Sequence, residues 1–194
     1  MKVSILKYNA GNTTSVQFAL ERVGVASVVT NNHEEILSSD RVIFPGVGEA
    51  SPAMKFLRQS GLDNVVLKLR QPVLGICLGM QLMCQHSEEG NTPGLGIFPV
   101  HVKKFISVSE KVPHMGWNTV ENMKSSVFRG VDNDTYVYYV HSYYAEICAD
   151  TIGVTNYVQP YSAALHRGNY YGVQFHPEKS GAAGERILKN FLAL

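Results

Sequence analysis

Cysteine is scarce in this sequence, with only Cys77, Cys84 and Cys148 among 194 residues. The number is odd and the spacing wide, with no CxxC pair and no His/Cys spacing suited to a metal. That argues against a disulfide scaffold and a zinc site, and a reduced cytoplasmic compartment is the simplest setting. Charge is thin and balanced, at 17% of residues and a formal net charge of +1. A nucleic-acid binder normally concentrates basic residues, whereas the longest basic run here is Lys103-Lys104, so no nucleic-acid partner is expected. No apolar stretch approaches the length of a bilayer span. Met1 to Leu6 lacks the long apolar core of a signal peptide, so neither membrane association nor export is expected. The phosphate-cradling patterns GxGxxG and GxxxxGK[ST] are also missing.

What is present is an ordinary globular balance, with 45% hydrophobic residues, enough for one buried core and one domain over residues 1–194. The first half alternates short apolar runs with helical periodicity. Strands are expected at Val3 to Tyr8, Val28-Val29, Arg41 to Phe44 and Pro72 to Ile76. Helices are expected at Thr14 to Val23, stopped by Gly24, and at Met80 to His86. A further helix is expected from Ser51 to Gln59, with Ser51 as N-cap and Pro52 in the first helical position. Strand–helix alternation implies a parallel sheet with right-handed crossovers. In the second half, Val100 to Ile106, Tyr136 to Val140, Ile152 to Val158, Ala163 to Leu165 and Tyr170 to Phe175 read as closely spaced strands. The turn signal Arg167-Gly168-Asn169 separates the last two. Ser180 to Leu192 closes the chain as a helix. The fold class is therefore α/β, a mostly parallel twisted sheet flanked by helices, with antiparallel strands added.

Gly75-Ile76-Cys77-Leu78-Gly79 sits between a strand and a helix. It has the form of a nucleophile elbow, with cysteine in the nucleophile position. Side chains at Gly75 or Gly79 would clash in so sharp a turn. The turn lifts the Cys77 sulfur from the sheet and sets it at a helix N-terminus, where the dipole favours a thiolate. An isolated cysteine is usually a small core hydrophobe, and Cys84 and Cys148 are read that way.

In Gln174-Phe175-His176-Pro177-Glu178, proline restricts His176 to extended conformations. In an extended chain, residues i and i+2 point the same way, so His176 and Glu178 should project together. A carboxylate beside an imidazole fixes its tautomer and supports the imidazolium, so His176 can serve as base and acid for Cys77. His33, His86, His101, His114 and His166 lack such context and are read as structural or surface residues. Pro45-Gly46-Val47-Gly48 follows the strand ending at Phe44, where a parallel sheet places its ligands. There the Val47 N–H, with that of Leu78, can hold an oxyanion.

Gly75-Ile76-Cys77-Leu78-Gly79-Met80-Gln81 together with His176-Pro177-Glu178 resembles the triad (class I) glutamine amidotransferases over essentially the whole chain. Pro45-Gly46-Val47-Gly48, Pro113-His114-Met115-Gly116-Trp117-Asn118, Val140-His141-Ser142-Tyr143-Tyr144 and His176-Pro177-Glu178-Lys179-Ser180 look like the glutaminase subunits of imidazole glycerol phosphate synthase. The resemblance implies that Cys77, His176 and Glu178 hydrolyse glutamine through a thioester, with no cofactor or metal. It implies glutamine contacts at Gly48, Gln81, Glu89, Ser142 and Tyr143. It also implies a heterodimer with a (β/α)8-barrel cyclase that receives ammonia through a channel, with interface positions at Asn12, Trp117, Tyr138 and Lys179. In that family the oxyanion peptide rests in an unproductive orientation until the partner binds its ligand. One departure is Tyr8-Asn9-Ala10-Gly11-Asn12, where the family has Tyr-Gly-x-Gly-Asn. Another synthase's glutaminase, such as that of pyridoxal phosphate synthase, shares the three residues but typically carries a Gly-Gly-Glu-Ser oxyanion segment, absent here. A stand-alone γ-glutamyl cysteine hydrolase or a non-enzymatic scaffold are the remaining alternatives.

Overall fold

A computed structural model describes every residue from Met1 to Leu194. Its first strands are short and mainly apolar, and all but the edge strand β2 are covered on both faces. They are β1 (Val3–Leu6), β2 (Ser27–Thr30), β3 (Arg41–Phe44) and β4 (Val73–Ile76). Their helices are α1 (Thr13–Arg22), α2 (His33–Leu37), α3 (Ala50–Ser60), α4 (Leu62–Lys68) and α5 (Leu78–Met83). Strands β5 (Cys84–Ser87), β6 (Thr92–Pro93), β7 (Phe98–Lys104), β8 (His114–Val120), β9 (Thr135–His141) and β10 (Tyr143–Ala145) come next. The chain ends with β11 (Thr151–Asn156), β12 (Pro160–Arg167), β13 (Tyr170–Val173) and α6 (Gly181–Leu192).

The main sheet has the order β11-β12-β13-β4-β3-β1-β2. The strands from β13 to β2 are parallel, and β12 and β11 extend the sheet antiparallel. Alternate residues of one strand feed two separate cores. Ile43 and Leu74 pack with Val16, Leu20 and Leu188 of α1 and α6. Val42, Phe44 and Val73 pack with Met54, Leu57 and Val66 of α3 and α4. This two-sided burial explains why the central parallel strands read as short apolar runs rather than alternating ones.

Some expectations change. Cys84 to His86 is not the end of a helix: α5 stops at Met83, and β5 pairs with β6 and β7. The apolar spacing there suits either state, and pairing with β7 decides it. Helix α3 begins at Ala50, with Glu49 rather than Ser51 as N-cap. Pro52 is its third residue, a position whose N–H has no intrahelical acceptor. Strand β13 ends at Val173, so Gln174 and Phe175 lie beyond it, Phe175 in the core and Gln174 beside Cys77. Not all later strands join the core sheet. Strands β10-β7-β5-β6 form a second sheet and β8-β9 a separate ribbon. Strands β6, β8 and β10 and helices α2 and α4 were not read from the sequence.

The elbow explains its own glycines. A Cβ on Gly79 would lie 1.9 Å from the Phe44 carbonyl oxygen, and one on Gly75 2.8 Å from the Met80 nitrogen. At Gly79 backbone alone blocks the space, so the turn docks directly on the end of β3, whereas at Gly75 the Met83 side chain also crowds it, at 2.3 Å. Gly79→Ala should therefore cost roughly 3 kcal/mol or more, read as the urea unfolding midpoint of the full chain; a loss below ~1 kcal/mol would contradict this docking.

Candidate active site at the cysteine elbow

Parallel strands β3, β4 and β13 all end at one edge, and the expected residues gather there. Cys77 joins β4 to α5 with φ 52° and ψ −108°, a conformation that L-residues hold only when their surroundings enforce it. Here the Cys77 N–H donates to Val173 O at 2.8 Å, and its carbonyl accepts from Gln81 N–H at 3.1 Å. Helix α5 has only six residues, so the dipole at Cys77 is smaller than a long helix would supply.

His176 and Glu178 come together as expected, with Nδ1 and Oε1 2.8 Å apart and both side chains buried. The local geometry differs from that expected. His176 is extended (φ −101°, ψ 94°), but Pro177–Lys179 is a single 3₁₀ turn, so the turn, not strand alternation, brings Glu178 back to the ring. Strand β9 anchors the pair. The His176 N–H donates to Tyr138 O at 2.9 Å, while Ser180 Oγ accepts from the Tyr138 N–H and donates to His176 O.

Burial works to discharge His176. Its interactions with Cys77 and with Glu178, through charge and through hydrogen bonding, outweigh burial and push the imidazole pKa up to about 10. His176 Nε2 is buried and meets full hydrogen-bond geometry with no partner, so its contact with Cys77 is a loose one. Unliganded active sites often show such loose contacts.

A cavity of about 300 Å³ opens on Cys77. Val47, Gly48, Leu78, Gln81, Glu89, Ser142 and Tyr143 line it, as do Pro113 and His141, which the sequence had not singled out. Glu89 Oε2 accepts from the Ala50 N–H at 2.8 Å. Burial raises the Glu89 pKa against that bond, and Glu49 adds to the rise, so a cation in the cavity would relieve an unfavourable carboxylate. Both hydrogens of the Gln81 amide are used, by Tyr143 O at 2.8 Å and Gln174 Oε1 at 2.9 Å. This leaves Gln81 Oε1 as an acceptor for an incoming N–H.

His176 and Glu178 do not line this cavity. They border a narrow gap on the other side of the Gly46-Val47 segment, together with Asn12, Val16 and Ile76.

The oxyanion peptide is closed. The Leu78 N–H donates to Gly46 O at 3.3 Å. A trans peptide points its C=O and N–H in opposite directions, so with Gly46 O turned toward Leu78 the Val47 N–H faces away. Tyr8 OH donates to Pro45 O, holding the preceding peptide in place.

Trp117 is 55% exposed, which rules out core packing for it. It meets Tyr138 edge to face at 5.9 Å, and Lys179 Nζ lies 5.7 Å from the Tyr138 ring centre. With exposed Met115 and Tyr136, they give the β8–β9 ribbon an apolar outer face. Asn12 is elsewhere, capping α1 beside the gap at His176.

The inner face of that ribbon buries His114 and His141 beside the apolar core residues Val120, Val137 and Tyr139. His141 Nδ1 lies 2.7 Å from Tyr143 O, and His141 Nε2 lies 3.2 Å from His114 Nδ1. Burial lowers the His141 pKa to about 3, with His114 and His176 adding to the fall against the bond to Tyr143. Burial lowers that of His114 to about 4.

Comparison with known proteins places these features. The family description "Glutamine amidotransferase class-I" matches residues 5–194. Imidazole glycerol phosphate synthase subunit HisH of Bacteroides fragilis is 58% identical over the full length of both chains. The subunit of the same name from Pectobacterium atrosepticum is 46% identical, again over both full lengths. Among solved structures, a GMP synthase subunit from Thermoplasma acidophilum has a TM-score of 0.77 at 20% identity, covering 100% of this chain and 92% of its own. A glutamine amidotransferase has a TM-score of 0.76 at 17% identity, covering 98% and 97%. At those identities the structural likeness speaks for the fold.

The buried histidines make acid stability predictable. Both are neutral when folded and bind protons on unfolding below pH 6.5, so stability is present above that pH and lost as pH falls toward about 4. The loss by pH 5 should be on the order of 1–2 kcal/mol per histidine. Urea titrations from pH 7.5 to 5 should show it, with a shallower slope in His114→Gln; equal slopes would place the acid sensitivity elsewhere.

Proposed function

The chain belongs to the class-I glutamine amidotransferases, and from that premise we propose that it is the glutaminase subunit of imidazole glycerol phosphate synthase, which hydrolyses glutamine and supplies ammonia to a cyclase subunit in histidine biosynthesis. The observation that carries this reading is one cavity holding Cys77 on its wall and the glutamine-contact positions around it. Glu89 meets the substrate's ammonium, Ser142 and Tyr143 its carboxylate, and Gln81 Oε1 accepts from an N–H. Gly48 lets the backbone approach closely, with φ +118° and only the Ala10 side chain in ordinary contact with the position a Cβ would take.

The Cys77 thiolate attacks the side-chain amide carbon. An S–C bond forms and the carbonyl π pair moves onto oxygen, toward the N–H groups of Val47 and Leu78. Collapse expels the amide nitrogen, which takes the proton from His176 Nε2 and leaves as ammonia. Water then attacks the thioester, His176 takes its proton, and the thiolate departs as glutamate is released. Glu178 holds Nδ1 and stabilises the imidazolium throughout.

The closed oxyanion peptide makes the resting chain nearly silent. Turning the Gly46-Val47 peptide would free the Leu78 N–H and present the Val47 N–H beside it. The partner is a (β/α)8-barrel cyclase. It docks on the face of Trp117, Tyr138 and Lys179, and Asn12 borders the side to which ammonia departs, opposite the glutamine entrance. The three cysteines are unpaired, in keeping with a reducing cytoplasm.

Glutamate release should be near background for the chain alone, rise at least a hundredfold with a cyclase barrel and its nucleotide ligand, and vanish in Cys77→Ala. Glu178→Gln should lose about a hundredfold or more in kcat while leaving KM within a few fold. Equal release without partner would favour the stand-alone hydrolase. Trp117→Ala should weaken partner binding about tenfold, as loss of an exposed aromatic anchor does. Unchanged calorimetric affinity would move the interface away from β8–β9.

A further inference from the structure

Gln174 has no role in the reading above, yet it reaches the reacting sulfur. Its side chain is fully buried at the point where the chain leaves β13, and its Nε2 lies 3.6 Å from Cys77 Sγ. On another side of the sulfur is Val140 O, 3.9 Å away. A thiol can donate to that carbonyl, whereas a thiolate cannot and needs donors. Besides His176, the titratable groups that interact with Cys77 are the Tyr8 and Tyr161 phenols, both kept neutral by burial. No short bond to Cys77 Sγ from either phenol forms, so Gln174 is the neutral N–H donor at the sulfur.

The orientation of this amide is determined by its neighbours. Tyr143 O can only accept, so the Gln81 group 2.8 Å from it must be the NH₂. The same NH₂ lies 2.9 Å from Gln174, which must present its oxygen there. The Gln174 NH₂ therefore faces Cys77. A backbone carbonyl at the cavity wall thus sets the polarity of two amides in series and aims an N–H at sulfur.

We propose that Gln174 is a further catalytic residue of this site, a neutral hydrogen-bond donor that stabilises the Cys77 thiolate and is held in polarity by Gln81 and the Tyr143 carbonyl. The proposal rests on Cys77 being the nucleophile. A donor to a charged acceptor is worth more than one between neutral groups, and this one needs no proton transfer, so His176 remains free to protonate the departing nitrogen.

The test is iodoacetamide alkylation of Cys77 in the full-length chain, followed by the mass of the Cys77 peptide, with Cys148 as internal control. Gln174→Met keeps the volume and removes the donor. It should slow Cys77 alkylation about tenfold at pH 7 and recover the parent rate by pH 10, where the thiolate forms without help. Gln174→Glu keeps the acceptor that Gln81 requires and should slow alkylation at pH 7 by more than Gln174→Met does. Either variant, once folded, decides the question. A rate at pH 7 within twofold of the parent would overturn the proposal, as would a Gln174→Met deficit undiminished at pH 10, which marks lost packing. Glutamine turnover by the parent with its barrel partner is measured in parallel. Absent turnover with the alkylation shift intact would sink the proposed function and leave the assignment of Gln174 standing.

Discussion

The close approach of the cysteine elbow to the end of β3 is the constraint on which the rest of the site depends. Gly79 lies so near the Phe44 carbonyl that no Cβ fits between them. That contact fixes where α5 starts and forces Cys77 into positive φ. It also brings Gly46 O within reach of the Leu78 N–H. The proposed nucleophile, the proposed oxyanion donors and the cavity floor are thus positioned by one backbone contact between neighbouring parallel strands. Strand β13, on the other side of β4, then carries His176 to the same edge.

The Gly46-Val47 segment separates two spaces with different tasks. Glutamine-sized space lies on one side of it, lined by groups that suit an amino acid's two charged ends. The proposed base and its carboxylate lie on the other, in a gap that Asn12 shares. A leaving nitrogen protonated by His176 therefore starts on the side away from the substrate entrance. The same segment carries the peptide whose carbonyl occupies the Leu78 N–H. In the proposed reading, substrate access, ammonia exit and oxyanion stabilisation meet in this segment, and this gives a docked partner one place to act on all three. Strand β9 offers a route, since Tyr138 sits on the exposed face while its backbone holds both His176 and Ser180.

Much of this was legible in the sequence because it lies in short contiguous runs. The elbow glycines state a steric requirement, and the parallel strands announce themselves by being apolar on both faces. The pairing of His176 with Glu178 was legible, but its cause was misjudged, since a 3₁₀ turn and not an extended strand returns the carboxylate. What stayed hidden depends on partners far along the chain. Cys84 to Ser87 became a strand only because β7 lies beside it. Glu89 reaches the start of α3 across 39 residues, displacing Ser51 as the expected cap. Ribbon β8–β9 was half missed because His114 and Asn118 face a polar interior, which blurs hydrophobic alternation. Gln174 gave no signal, because an amide within an apolar run shows its function only when Gln81 and Cys77 are set beside it.

The account stands or falls on the state of the Gly46-Val47 peptide during acylation. The most direct measurement is a crystal structure of the Cys77 adduct formed by a chloroketone analogue of glutamine, in complex with the barrel partner and its nucleotide ligand. In that adduct the Leu78 N–H should have left Gly46 O for the adduct oxygen, with the Val47 N–H turned in beside it. An adduct with Gly46 O still seated on the Leu78 N–H would contradict it.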